Sequence, residues 1–204
     1  MLQSDNVEDR IRILELLPGK AEDTIHTKLA VAPLSAGTKY EALSYVWGNP
    51  AYPLPIHVDG KVLKVTQNLR TALRHLRSPT ESRTLWIDAI CINQNDKEEK
   101  GHQVGLMGKI YRGSSNTVIW VGPSTPGTPE AFHNVEILFR AAKDGGGDPT
   151  QNIKWNPADA HIAKGVLTPE SAPQWNHEVL TLLRRPWFTR GWVRKYLSRH
   201  HSFE

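Results

Sequence analysis

The chain has 204 residues, 25 of them Lys or Arg and 21 Asp or Glu, enough for one domain with a sizeable core or one domain plus an appendage. The net charge of +4 is uneven: Arg184 to Glu204 holds six bases and one acid, and the remainder carries 19 bases and 20 acids. A neutral body with a basic tail argues against a nucleic-acid reader, whose basic residues line one face. No apolar run nears the roughly 18 residues of a membrane span. The single Cys91 excludes an internal disulfide framework, and the acidic start from Met1 to Arg10 lacks a secretory signal. A reducing, cytoplasmic setting is expected.

In chain order, Ile11 to Leu17 reads as a strand closed by Pro18-Gly19, with Thr27 to Val31 as its antiparallel partner. Tyr40 to Val46 is a second strong strand, broken at Trp47-Gly48-Asn49-Pro50. Ile56 to Val65 alternates around Asp59-Gly60 and predicts an edge hairpin. Thr66 caps a helix that places Leu69, Leu73 and Leu76 inward and Arg70, Arg74 and Arg77 on the other face. Thr84 to Ile87 is the next strand. Asp96 and Glu99 have capping-box spacing before a helix with Val104, Leu106, Met107, Ile110 and Tyr111 inside, ending near Gly113. Thr117 to Val121 is a buried strand.

Strands and helices alternating from Tyr40 to Val121 predict an α/β fold with a parallel sheet flanked by helices. Glu130 to Lys143 is expected to be a helix with Phe132, Val135, Phe139 and Ala142 on one face. Asp148 to Asn176 reads as an irregular insertion. Val179 to Leu183 and Trp187 to Leu197 are expected to be helical.

The segment Leu85-Trp86-Ile87-Asp88-Ala89-Ile90-Cys91-Ile92-Asn93-Gln94 carries the main candidate site. Its apolar strand delivers an acid, a thiol and two amides to a sheet rim, where open α/β sheets bind ligands. Asp88 is either a turn cap or a ligand group. Cys91 is either a nucleophile, which needs a base beside it, or a small buried hydrophobe. Asn93 and Gln94 either fix the loop or touch a ligand. Trp47, Trp86, Trp120, Trp187 and Trp192 suit packing better than a stacking platform. Arg185 and Arg190 either clamp a phosphate or carboxylate or pair with Asp88. The nine histidines show no metal-site spacing, so no metal is expected. There is no Walker or Rossmann loop, and Gly145 to Gly147 reads as a helix cap and linker.

These motifs, in this order, resemble the fungal heterokaryon-incompatibility (HET) domain. The matching elements are Tyr40-Glu41-Ala42-Leu43-Ser44-Tyr45-Val46-Trp47-Gly48; Gln67-Asn68-Leu69 with Leu73 and Leu76-Arg77; Leu85 to Gln94; Gln103-Val104 with Met107 and Ile110-Tyr111; Val118 to Gly122; and Arg185-Pro186-Trp187 with Arg190 and Trp192. The resemblance implies an N-terminal β extension over residues 1–38, a HET domain over 39–193 with its insertion at about 144–177, and a basic tail over 194–204.

HET domains are in turn similar to Toll/interleukin-receptor (TIR) domains, a flavodoxin-like family, with Ser44-Tyr45 in the place of the first TIR strand. The resemblance implies a regulatory module of non-self recognition that leads to programmed cell death, with self-association and an upstream sensor protein as partners and no cofactor. Its alternative is a TIR-like hydrolase with NAD as substrate. It also implies that Asp88, Arg185 and Arg190 share one rim of the sheet. The family pattern calls for a glutamine and a glutamate shortly after Trp192. This chain has Val193-Arg194-Lys195-Tyr196 there, which leads to the expectation of a truncation, a shifted reading frame, a mis-spliced gene model or a degenerate copy, and of no NAD cleavage.

Overall fold

A computed structural model of the chain describes residues 9–35, 37–144 and 172–189. The chain divides into two units, Met1–Trp120 and Val121–Glu204.

The first unit is built on strands β1 (Arg10–Leu16), β2 (His26–Pro33), β3 (Glu41–Tyr45), β4 (Leu54–Val58), β5 (Lys61–Val65), β6 (Arg83–Trp86) and β7 (Asn116–Trp120). All seven join one sheet in the order β5-β4-β2-β1-β6-β3-β7. The strands β6, β3 and β7 are adjacent and parallel, as the sequence predicts. Their spatial order is second, first, third in the chain, so the chain passes from β3 to β6 on one side and then crosses to β7 on the other. The carboxyl ends of β3 and β7 therefore form a switch point, the usual ligand crevice of open α/β sheets. Four of the five residues of β3 are buried, as befits a parallel strand paired on both sides.

The fold is α/β, but the sheet is mixed. β1 pairs antiparallel with both β2 and β6. The expected hairpin is present: β4 and β5 are antiparallel, and both turn residues have positive φ, 50° at Asp59 and 76° at Gly60. This is what a two-residue turn demands where the strands keep their right-handed twist. β5 is an edge, and exposed Lys61 and Lys64 guard it against further pairing.

Three helices serve this unit: α1 (Gln67–Leu76), the single turn α2 (Asp88–Cys91) and α3 (Lys97–Gly113). Thr66 caps α1, its side chain accepting from the Leu69 N–H. Leu69 and Leu73 are buried, as expected. Arg77 is not on the solvent face. It is the C-cap and is 8% exposed, because its guanidinium turns in to the carbonyls of Lys20, Ala21, Asp23 and Thr24. In α3 the buried residues are Gln103, Leu106 and Ile110, while Val104 is 49% exposed. Gln103 displaces Val104 because its amide donates to the Arg10 carbonyl of β1. The end of α3 is tied to β3, with the Tyr40 hydroxyl donating to the Ile110 carbonyl at 2.6 Å and Tyr111 to that of Leu43 at 3.2 Å.

The second unit contains α4 (Thr128–Asp144), α5 (Ala172–Leu183) and a 3-10 turn, Pro186–Thr189. The helix α5 starts earlier than the sequence reading has it, since proline is tolerated in a first helical turn. The inner side of α4 holds Ala131 and Asn134, and Phe132 is 51% exposed, so the predicted face is displaced by about one residue. The side chains of Phe139 and Ala142 lie outside the described residues, as do Arg190, Trp192 and the tail. No helix among the described residues is long and apolar enough to cross a membrane.

Candidate functional site

The carboxyl ends of the three parallel strands hold a hydrogen-bonded group of side chains. From β3 the chain passes through Val46 to Trp47 and Gly48. Gly48 has φ +80°, and a Cβ built on it would lie 3.1 Å from the Asn68 Cβ. Only glycine combines that backbone with that approach. Asn68, in the first turn of α1, donates to the Val46 carbonyl at 2.5 Å and accepts from Trp120 Nε1 of β7 at 3.0 Å. A single amide thus spans the switch point. The His75 ring of α1 lies against Trp120, with centroids 5.0 Å apart.

Asp88 opens α2 directly after β6. Its Oδ1 accepts from the N–H of the next residue, Ala89, at 2.7 Å, and its Oδ2 accepts from Trp47 Nε1 at 2.9 Å. One oxygen of this acid thus bonds within its own turn, and the other bonds to the residue that follows β3. The Trp47 indole, 40% exposed, is held at its nitrogen by this carboxylate. Ser44 and Tyr45 are buried in β3 below the rim, and Trp86 is fully buried. All three belong to the packing beneath the site.

Cys91 is buried, and its Sγ accepts from the Ile87 N–H at 3.4 Å. Burial pushes the thiol up to about 12. At neutral pH it carries no thiolate, and a thiol in that state is a poor nucleophile. The amides fix the loop: Gln94 Nε2 donates to the Asp88 carbonyl at 2.9 Å, and Asn93 Oδ1 accepts from the Asn95 N–H at 3.2 Å.

The loop is also pinned from below. Glu99 does not close the predicted capping box on Asp96. Asp96 caps α3 alone, accepting from the N–H groups of Glu98 and Glu99. The Glu99 carboxylate instead grips the Arg12 guanidinium of β1 with both oxygens, the Nη2–Oε2 contact being 2.8 Å. It also accepts from the Asn93 N–H at 2.8 Å, and Arg12 donates to the Cys91 carbonyl at 3.0 Å. The Arg12 hydrogen bond, helped by the Asn93 N–H, lowers the Glu99 carboxyl to about 2.

Such a depressed carboxylate contributes stability that is whole above the unfolded value near 4.5 and is lost as pH falls toward 2. With a side chain about one quarter exposed, solvent screening reduces the contribution to about 1–2 kcal/mol. Urea midpoints measured between pH 5 and 2.5 should therefore fall more steeply for the parent than for Glu99→Gln. Parallel curves would mean that the pair is inert.

In the second unit, Arg185 donates to the Pro123 carbonyl at 3.1 Å, to Thr125 Oγ1 at 3.3 Å and to Thr128 Oγ1 at 2.7 Å. It organises the start of α4. Trp187 is buried against Phe188, the rings edge to face at 5.0 Å. Two contributors to the rim region escape sequence reasoning. Asn68 stands in a quoted motif, but nothing in its spacing marks it as a bridge. Arg12 meets Glu99 across 87 residues of chain, a separation no local pattern spans.

The family model described as Heterokaryon incompatibility protein (HET) matches residues 40–195, a stretch that holds the whole rim. Heterokaryon incompatibility protein 6, OR allele, of Neurospora crassa is 33% identical over 209 aligned residues, which cover 90% of this chain and 31% of the relative. The chain thus spans about a third of the length of the curated relative it matches. No solved structure matches the chain. With three quarters of its length under the family model, the chain belongs to the heterokaryon incompatibility family.

Proposed function

We propose that this chain acts in fungal non-self recognition as a regulatory HET module, residues 39–193 with the β extension 1–38. Its self-association, under an upstream sensor protein, leads to programmed cell death. Family membership and a relative whose name is that of a heterokaryon incompatibility protein support the reading. The second–first–third order of the parallel strands supports the TIR-like kinship.

The observation that carries a recognition role over catalysis is the state of the rim. An exposed indole is fixed in place by Asp88, and Cys91, in the same turn as Asp88, is buried and protonated. A pre-set aromatic is the usual anchor of a recognition surface, whereas a nucleophile needs activation that Cys91 lacks.

Induced expression of the chain in a fungal host is expected to arrest growth, and the purified protein to associate on sedimentation as concentration rises. Trp47→Ala should weaken both. A chain that stays monomeric and harmless would sink the proposal. Incubation with NAD should release no nicotinamide, since Tyr196 stands where the family pattern calls for glutamate. Release that disappears in Asp88→Asn would make the rim an active site instead.

A further inference from the structure

Two imidazoles meet on the opposite half of the sheet, where the edge hairpin joins it. β2 and β4 run parallel and pair at only two positions, His26 with His57 and Thr27 with Val58. Register partners on neighbouring strands project to the same face. The two rings accordingly lie with centroids 4.8 Å apart and planes tilted by 33°. His26 is exposed and His57 half-buried, so the pair is open to solvent. Neither ring hydrogen-bonds to another group among the described residues.

The spacing suits a shared ion. A zinc ion lies about 2.0–2.1 Å from an imidazole nitrogen, which puts the ring centroid roughly 3.2 Å from the metal. Two such rings held 4.8 Å apart subtend about 97° at the ion, within the range that zinc, nickel and copper accept. The local charge does not oppose a cation: Lys28, two residues along β2, is paired with Glu15 at 3.8 Å, and Asp59, in the turn that follows β4, brings a carboxylate to the same junction, where it accepts from the Leu29 N–H.

We propose that His26 and His57 form a two-imidazole site for a borderline divalent cation such as Zn2+, with water completing its shell. The ion clips the β4–β5 hairpin onto β2, a junction otherwise made by few bonds. These include the His57 N–H to the Ile25 carbonyl at 2.9 Å and the Asp59 N–H to that of Thr27 at 3.0 Å. Sequence spacing does not reveal the site, because its two ligands stand on different strands and meet only through strand pairing.

The full chain, titrated with Zn2+ alone, should unfold at a temperature that rises with zinc concentration, as for any ligand bound only by the native state. His26→Gln and His57→Gln should each weaken zinc binding by about tenfold or more, because each removes half of a chelate. His102→Gln, exposed on α3, should leave it unchanged. Substoichiometric Cu2+ should broaden the His26 and His57 ring resonances before those of the other histidines, a readout that needs no variant to fold. Unchanged zinc affinity in both Gln variants, no thermal shift in the parent, or prior broadening of other histidines would each overturn the site.

Discussion

Trp86→Ala should lower the unfolding free energy of the first unit by about 3–5 kcal/mol, the range for large aromatic truncations in a core. Trp86 is fully buried in β6, opposite Ala42 of β3, and the Tyr111 ring of α3 meets it edge-on at 5.8 Å. Removing the indole takes away one of the contacts between the central strands and α3 and leaves a void that fixed backbone cannot close. A second variant sharpens the test. Trp86 Nε1 is buried with no hydrogen-bond partner among the described residues, so losing that donor breaks no bond among them. Trp86→Phe removes that donor along with some volume and should cost about 1 kcal/mol or less. Equal losses for Ala and Phe would show that Nε1 makes a bond that matters. An unchanged urea midpoint for Ala would show that the side chain does not pack as described.

The elements that the sequence makes legible are those with strong local grammar. Tyr40 to Val46, Leu85 to Ile87 and Val118 to Val121 are short apolar runs separated by amphipathic helices, and they fall side by side in the sheet. Asp59-Gly60 supplies two residues that accept positive φ, and the chain turns there. Helix faces were less legible wherever a polar residue has a partner distant in sequence. Gln103 is buried in place of Val104 because the Arg10 carbonyl needs a donor. Glu99 leaves its capping box for Arg12 because a bidentate guanidinium pair outweighs one backbone N–H. At the rim, the hydrogen bond between Trp47 and Asp88 depends on β3 and β6 being parallel neighbours, which no local pattern shows. The bridging role of Asn68 depends in turn on β7 lying on the other side of β3.

Arg77 is the sharpest case of a charge whose position periodicity misjudges, and it yields the second large effect. The spacing groups it with Arg70 and Arg74 on the face of α1 opposite Leu69, Leu73 and Leu76. The helix ends there instead: Arg77 has extended backbone, with ψ 127°, and its N–H still bonds to the Leu73 carbonyl. The side chain then swings under the β1–β2 connection, donating to the Thr24 carbonyl at 2.9 Å, to that of Asp23 at 3.0 Å and to that of Lys20. No acid is needed, since several carbonyl dipoles solvate the cation together. Arg77→Ala should cost about 2–4 kcal/mol, because hydrogen bonds from a charged group are each worth more than neutral ones, although the exposed loop regains water on their loss. Arg77→Lys should recover less than half of this, because an ammonium cannot reproduce the planar fork that reaches several carbonyls at once. Amide exchange should localise the effect, with the Gly19 and Asp23 N–H groups of the loop exchanging faster in both variants while those of α3 do not. A Lys variant as stable as the parent would mean that charge alone, not the fork, holds the connection.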